Sequence, residues 1–342
     1  MFVIGLEFNT DMIKSKFHNA VEISLAGILT PFLLGGILSC FIYKDVSFFS
    51  ENILLPEVIL FSGSAISITA FPMLARILYE KGLSQTKVGT LTLAAGSIDD
   101  VLAWCMLAIT VASFSKDVTI ALTAIIGGIL YALIIFFVIK PLLHMYIKKH
   151  ETDKNIASKT FPFIMCLLAI GAFYTDYVGI YAIFGAFIMG TAIPRGEISE
   201  YLKKVITPIV NNVFLPLFFV YSGLNTKLSL VLSPKMIYII LIVTVLACAG
   251  KGIACWAAAR MTKQKNSEAM IIGILMNSRG LMELILINIG LENGIITETF
   301  YAIMVCMAII TTLMTSPLFE YVYKKHKNSF KEVDNLQISF NE

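Results

Sequence analysis

The chain reads as a series of long apolar runs, each closed by a short polar or charged stretch. A helix needs roughly 20 consecutive apolar residues to cross a hydrocarbon core. The pattern gives ten candidate spans, at 20–43, 53–75, 88–114, 118–143, 160–175, 179–193, 205–223, 236–259, 267–290 and 297–323. Ahead of them, MFVIGLEFN (Met1–Asn9) reads as the tail of a further helix. It is too short to span, and it has neither the charged leading region nor the cleavage site of a signal peptide. The expectation is a chain that begins inside a helix.

The lysines and arginines agree with this division. Taken alternately, one set of loops and the carboxyl-terminal tail hold 20 of them and the other set only 4, Lys44, Lys116, Lys227 and Lys235. The remaining two, Lys251 and Arg279, fall inside spans. Cationic loops stay on the cytoplasmic side. The carboxyl terminus is therefore expected in the cytoplasm, and the protein in the cell (inner or plasma) membrane. The predicted fold class is an all-α polytopic membrane protein, with a transmembrane domain over 1–324 and a short cytoplasmic tail over 325–342.

Composition narrows the function. Apolar residues make up 57% of the chain and charged residues 14%, with a mean hydropathy of +0.82; a soluble domain carries about 25% charge. The net charge is only +3 and no basic tract interleaves with aromatics, so nucleic-acid binding is not expected. The six cysteines lie scattered in apolar runs without CxxC or Cys/His spacing. They call for neither a disulfide framework nor zinc, and nothing calls for a cofactor.

Against this apolar background a few charges stand out. SIDDVLAW places Asp99 and Asp100 near the middle of 88–114. An ionisable side chain at mid-bilayer costs at least about 2.5–3.5 kcal/mol on insertion scales, so such residues face a cavity and act there. Neighbouring residues project about 100° apart on a helix, so one carboxylate can meet a structural partner while the other faces water. Carboxylates suit a hard cation such as Na⁺, for which a proton can compete. The plain alternative is a solvated pair near a helix end, which the long apolar-to-neutral flanks oppose. Lys251, in CAGKGIACW, lies nine residues from Arg260, about 13 Å of helix rise and too deep for easy snorkelling. An ion pair with Asp99 or Asp100 accounts for it. NSRGLMELI sets Arg279 and Glu283 at i, i+4, an intrahelical salt bridge, a direct role in ion binding, or both.

Two spans are also interrupted. SGSAISITAFP (Ser62–Pro72) carries four hydroxyls, a glycine and a proline, and Asn277–Gly280 breaks the 267–290 span. Irregular backbone at membrane depth is tolerated where it lines a cavity or packs on protein. Interruptions in corresponding places of two halves point to a transporter built from inverted repeats.

The strings SITAFPMLARILYEKGL, GTLTLAAGSIDDVLAW, PLFFVYSGLNTKL and GILMNSRGLMELILINIGL, in this order along essentially the whole chain, resemble the monovalent cation:proton antiporter-2 family. The wording is similar to bacterial sodium/proton exchangers and plant cation/proton exchangers. The resemblance implies an inverted-repeat antiporter fold in which 53–75 and 267–290 are discontinuous helices that cross near the site. It implies a homodimer in which a core domain moves like an elevator against a dimerisation domain. Asp100 matches the family's ion- and proton-carrying aspartate, Asp99 the aspartate that pairs with a lysine, and Lys251 that lysine. Thr69, Ser67 and Asn277 line the crossing, and Arg279 and Glu283 are supporting intramembrane charges. Na⁺ or K⁺ would sit transiently at Asp100, and two aspartates with a lysine go with more than one proton per cation. Family members carry two helices ahead of MFVIGLEFN, so the domain is expected to be incomplete at its amino end.

The function expected is secondary active exchange of a monovalent cation, Na⁺ or Li⁺ ahead of K⁺, for protons. The alternatives are a glutathione-gated potassium efflux system, which shares the fold, and a cation channel, which needs a selectivity filter that no repeated pore loop supplies. An intramembrane aspartyl protease needs two aspartates facing one another from different helices. Asp99 and Asp100 are consecutive on one helix and Asp176 sits in a short external loop, so the protein is not expected to be an enzyme.

Overall fold

A computed structural model describes residues 1–7, 10–51, 53–84, 86–114, 118–150, 156–179, 182–224 and 226–326. Most of the expected tail, from residue 327 on, lies outside them. The described residues are helical almost throughout, and they divide into two compact units: Met1–Asn9 with Trp104–Gly223, and Thr10–Ala103 with Leu224–Glu342.

The second unit begins with α2 (Thr10–Ile42), which follows the short α1 (Phe2–Glu7) of the first. It continues with α3 (Leu55–Ser67), α4 (Phe71–Glu80) and most of α5 (Lys87–Phe114), and resumes with α12 (Pro234–Met261), α13 (Asn266–Leu275), α14 (Leu281–Glu292) and α15 (Glu298–Lys325). Side chains and prolines fix the starts of several helices. Glu57 accepts the Leu54 N–H at 2.9 Å, Glu268 that of Lys265 at 3.1 Å, and Thr297 that of Phe300 at 3.3 Å. Ser233 accepts from Met236 at 3.4 Å with Pro234 in the first position of α12. These satisfy donors that a helix leaves unpaired at its start.

The first unit contains α1, the end of α5, α6 (Val118–Ile134), α7 (Lys140–Lys149), α8 (Ile156–Tyr177), α9 (Ala182–Ala192), α10 (Glu197–Ile209) and α11 (Leu215–Leu224). α1 packs on α9 through glycines. A Cβ on Gly190 would lie 2.3 Å from the Phe2 carbonyl oxygen and 2.9 Å from the Gly5 Cα. Small residues of this kind let helix backbones touch. Wider π-helical turns join α6 to α7 (Ile135–Ile139) and α10 to α11 (Val210–Phe214). Each lies beside a proline, Pro141 or Pro208, that cannot donate to the helical ladder.

The polarity is that of a membrane protein. Leu25, Leu29, Leu33, Ile37 and Phe41, at i, i+4 spacing on α2, are all exposed, whereas Asp99, Asp100, Lys251, Arg279 and Glu283 are buried. Among the described residues, five helices are long and apolar enough to cross a membrane, at Phe17–Ile42, Ile126–Lys149, Ile156–Tyr177, Pro234–Met261 and Glu298–Lys325. Both expected interruptions are real breaks in the helix. The first is narrower than the sequence suggests. α3 runs on through Ser62, Ser64 and Ser67, and only Ile68–Ala70 is extended before α4, where Pro72 takes the second position. The second break spans Met276–Gly280, between α13 and α14.

Candidate functional site

The two breaks meet and bond to each other. The Ala70 N–H donates to the Ser278 carbonyl at 2.8 Å, and the Thr69 hydroxyl to the Met276 carbonyl at 3.0 Å. The Ser278 hydroxyl donates to the Ala70 carbonyl at 3.4 Å. A Cβ on Gly280 would lie 3.1 Å from that of Ala70, so a larger residue there would press the two breaks apart by a few tenths of an ångström. Each break thereby pairs backbone groups that its own helix has released, which resolves the cost of irregular backbone in an apolar medium.

The end of α3 leaves carbonyls pointing out of the helix, and two cations take them. Arg279 donates to the Ala65 carbonyl at 3.1 Å and to that of Ile66, while Lys251 donates to the Ser67 carbonyl. A helix carboxyl end carries partial negative charge, so cations belong there. Arg279 also reaches Glu283 at 3.3 Å, the i, i+4 pair expected from the sequence. Its backbone is held by Thr312, which accepts the Arg279 N–H at 3.3 Å and donates to its carbonyl at 3.0 Å.

Asp99 and Asp100 fare differently, as their separation around α5 requires. Lys251 donates to Asp99 at 3.1 Å, and both side chains are wholly buried. The Thr69 N–H adds a bond at 3.0 Å and the Ser24 hydroxyl one at 3.5 Å. Asp100 is equally buried, and among the described residues neither of its oxygens has a hydrogen-bond partner of normal geometry. The backbone N–H of Phe71, which opens α4, is one polar group near it.

Among the described residues, five charged side chains of this unit are at most 1% exposed: three carboxylates, Asp99, Asp100 and Glu283, against two cations, Lys251 and Arg279; Glu57 and Glu268, 6% and 4% exposed, instead cap the starts of α3 and α13. Lys251 answers Asp99 and Arg279 answers Glu283. If all are ionised, one negative charge is left over, and it falls on Asp100.

Of the remaining expected residues, Ser67 contributes its main-chain carbonyl, while its hydroxyl donates to the Ser64 carbonyl at 2.9 Å. Asn277 donates to the Gly273 carbonyl at 3.1 Å, and its buried amide oxygen has no partner among the described residues. Ser24 and Thr312 are additions. A lone hydroxyl in an apolar span carries no signal that separates it from ordinary helix packing.

Residues 1–321 match the profile described as "Sodium/hydrogen exchanger, transmembrane". The chain belongs to the sodium/hydrogen exchanger family. Among similar exchangers is "Na(+)/H(+) antiporter NhaS4" of Synechocystis sp., 38% identical over 94% of this chain and 79% of that protein. "Cation/H(+) antiporter 18" of Arabidopsis thaliana is 34% identical over 97% of this chain, which spans only 41% of the plant protein. "Na(+)/H(+)-K(+) antiporter GerN" of Bacillus cereus is 28% identical over 97% of the chain and 82% of the relative. The expected family resemblance thus holds along nearly the whole chain.

Proposed function

We propose that this exchanger carries a monovalent cation one way and protons the other, with Asp100 as the group that holds each in turn. The observation that carries the reading is the single unanswered carboxylate in an otherwise paired, buried cluster. An uncompensated charge inside a protein costs about 3–5 kcal/mol. The empty, ionised site is therefore poor at crossing between its two open states, and the site loaded with a proton or a cation is good at it. Exchange follows because only the neutralised forms cross. Asp99 and Lys251 form the counter-pair that cation entry disturbs. Thr69, the Ser67 carbonyl and Asn277 line the crossing beside them. Na⁺ or Li⁺ is the expected cation and K⁺ the second candidate; the names of the relatives cover both Na⁺ and K⁺. The lysine-rich side, with the carboxyl terminus, is cytoplasmic, and the protein works as a homodimer in the cell membrane.

The test is cation-induced dequenching of a pH-sensitive dye in proteoliposomes holding the full-length protein, with Na⁺, Li⁺ and K⁺ added in turn. Dequenching is expected, and Asp100→Asn should abolish it while the variant stays folded and inserted. Full exchange in that variant would overturn the assignment. Cation flux without proton movement would favour a channel.

A further inference from the structure

A groove of about 450 Å³ lies between α7 and α8, in the first unit, and shares no residue with the charged cluster. Ile139, Leu142, Leu143 and Tyr146 form one wall, and Lys159, Thr160, Phe163 and Leu167 the other. Both walls follow helical periodicity. Positions 139, 142, 143 and 146 make one stripe of α7, and its next member is Lys149, in the last turn. On α8 the stripe begins at Lys159, in the first turn. Two lysines therefore flank the same end of an otherwise apolar groove. Side chains lean toward the start of their own helix. On this tendency a side chain at 149 is directed back along α7 toward the groove, which Lys159 lines. Inside, the Thr160 hydroxyl is engaged by the Ile156 carbonyl at 2.7 Å, so the depth of the groove suits hydrocarbon. From Tyr146 to Ile139, which line one wall, the helix rises about 10 Å, and Lys149 continues that line to about 15 Å, half of a hydrocarbon core of about 30 Å. The groove thus runs most of the depth of one leaflet, open sideways where Leu142 and Phe163 are exposed.

We propose that this groove binds an anionic phospholipid of the lysine-rich leaflet, with one acyl chain between α7 and α8 and the headgroup phosphate between Lys149 and Lys159. The length of the groove selects a chain that enters from one surface. The paired lysines at one end select a negative headgroup, and Tyr146 beside them belongs at the boundary between hydrocarbon and water.

Native mass spectrometry of the full-length protein tests this, counting retained phosphatidylglycerol against phosphatidylcholine of identical chains. Retention of phosphatidylglycerol is expected to be selective and to fall about fivefold for each lysine removed in Lys149→Gln and Lys159→Gln. Leu142→Trp, at an exposed position on the groove wall, should reduce binding by filling the groove with both lysines in place. Lys203→Gln with Lys204→Gln, on the same side but on α10, should leave it unchanged. Glycerol phosphate, which has the charge without the chain, should not compete. Equal retention of the two lipids would overturn the proposal, as would equal losses from the α10 lysines or full binding in Leu142→Trp. Thermal unfolding of each variant separates lost binding from lost folding.

Discussion

Lys251 shows how tightly a single buried side chain can be tied to its surroundings. Its ammonium answers Asp99 and the Ser67 carbonyl at once. Lys251→Met should therefore destabilise the protein by about 3–5 kcal/mol, because Asp99 is left buried without its counter-charge. The double variant Asp99→Asn/Lys251→Met should recover most of that loss in thermal unfolding, since it removes both charges together. A double variant no more stable than the single one would mean that the ion pair is not what the lysine supplies. The sequence alone leaves open which aspartate Lys251 meets, because two carboxylates 100° apart on a helix look alike until the neighbouring helices are placed. Asp99 is the partner. The role of Ser67 was legible only as a position. Its contribution is a carbonyl, which every residue possesses, and only the end of α3 frees it.

At the scale of elements, the interruptions are the most readable feature and the partners of their backbone groups the least. Serines, glycine and proline announced a break within 62–72, yet hydroxyls at Ser62 and Ser67 are compatible with helix, and the chain leaves it only at Ile68. Nothing in SITAFP indicates that NSRG will bond to it, since that pairing is set by tertiary packing. Arg279 holds two carbonyls of α3 through its planar fork, a geometry lysine does not reproduce. Arg279→Lys should therefore cost about 1–3 kcal/mol by leaving a buried carbonyl unanswered, read as a lower Tm together with slower exchange. Two glycines in the other unit offer a matched comparison. Gly190→Ala should destabilise by about 1–3 kcal/mol by forcing α9 away from α1. Gly223→Ala, with nothing within 4 Å of its Cβ, should be neutral or stabilising by up to about 1 kcal/mol, as expected for glycine replaced in a helix.

For the whole molecule, the proposed sharing of one carboxylate by two ligands has a consequence for pH dependence. On that proposal protons and cations exclude each other at Asp100, so the apparent KM for the cation should rise as pH falls, by up to about tenfold per unit where the proton-bound form dominates. Initial rates across a pH series at several cation concentrations measure this; a KM independent of pH would mean separate sites. The inward-charged, outward-apolar plan was legible because lipid reverses the usual pattern of burial. The sequence does not show which helices share a compact unit, since every span is apolar and periodicity alone does not name neighbours. The pairing of the breaks also has a consequence in time. Arg279 lies 214 residues beyond the Ala65 carbonyl that it holds, and ribosomes add about 5–20 residues per second. For about 10–40 s during synthesis, the first half of the crossing is therefore in the membrane with its Ala65 and Ile66 carbonyls unanswered, and Asp99 waits for the counter-charge of Lys251, 152 residues beyond it. The newborn protein must keep that half hydrated or sheltered until its second half is made, which makes the ion site one of the last parts of the domain to exist.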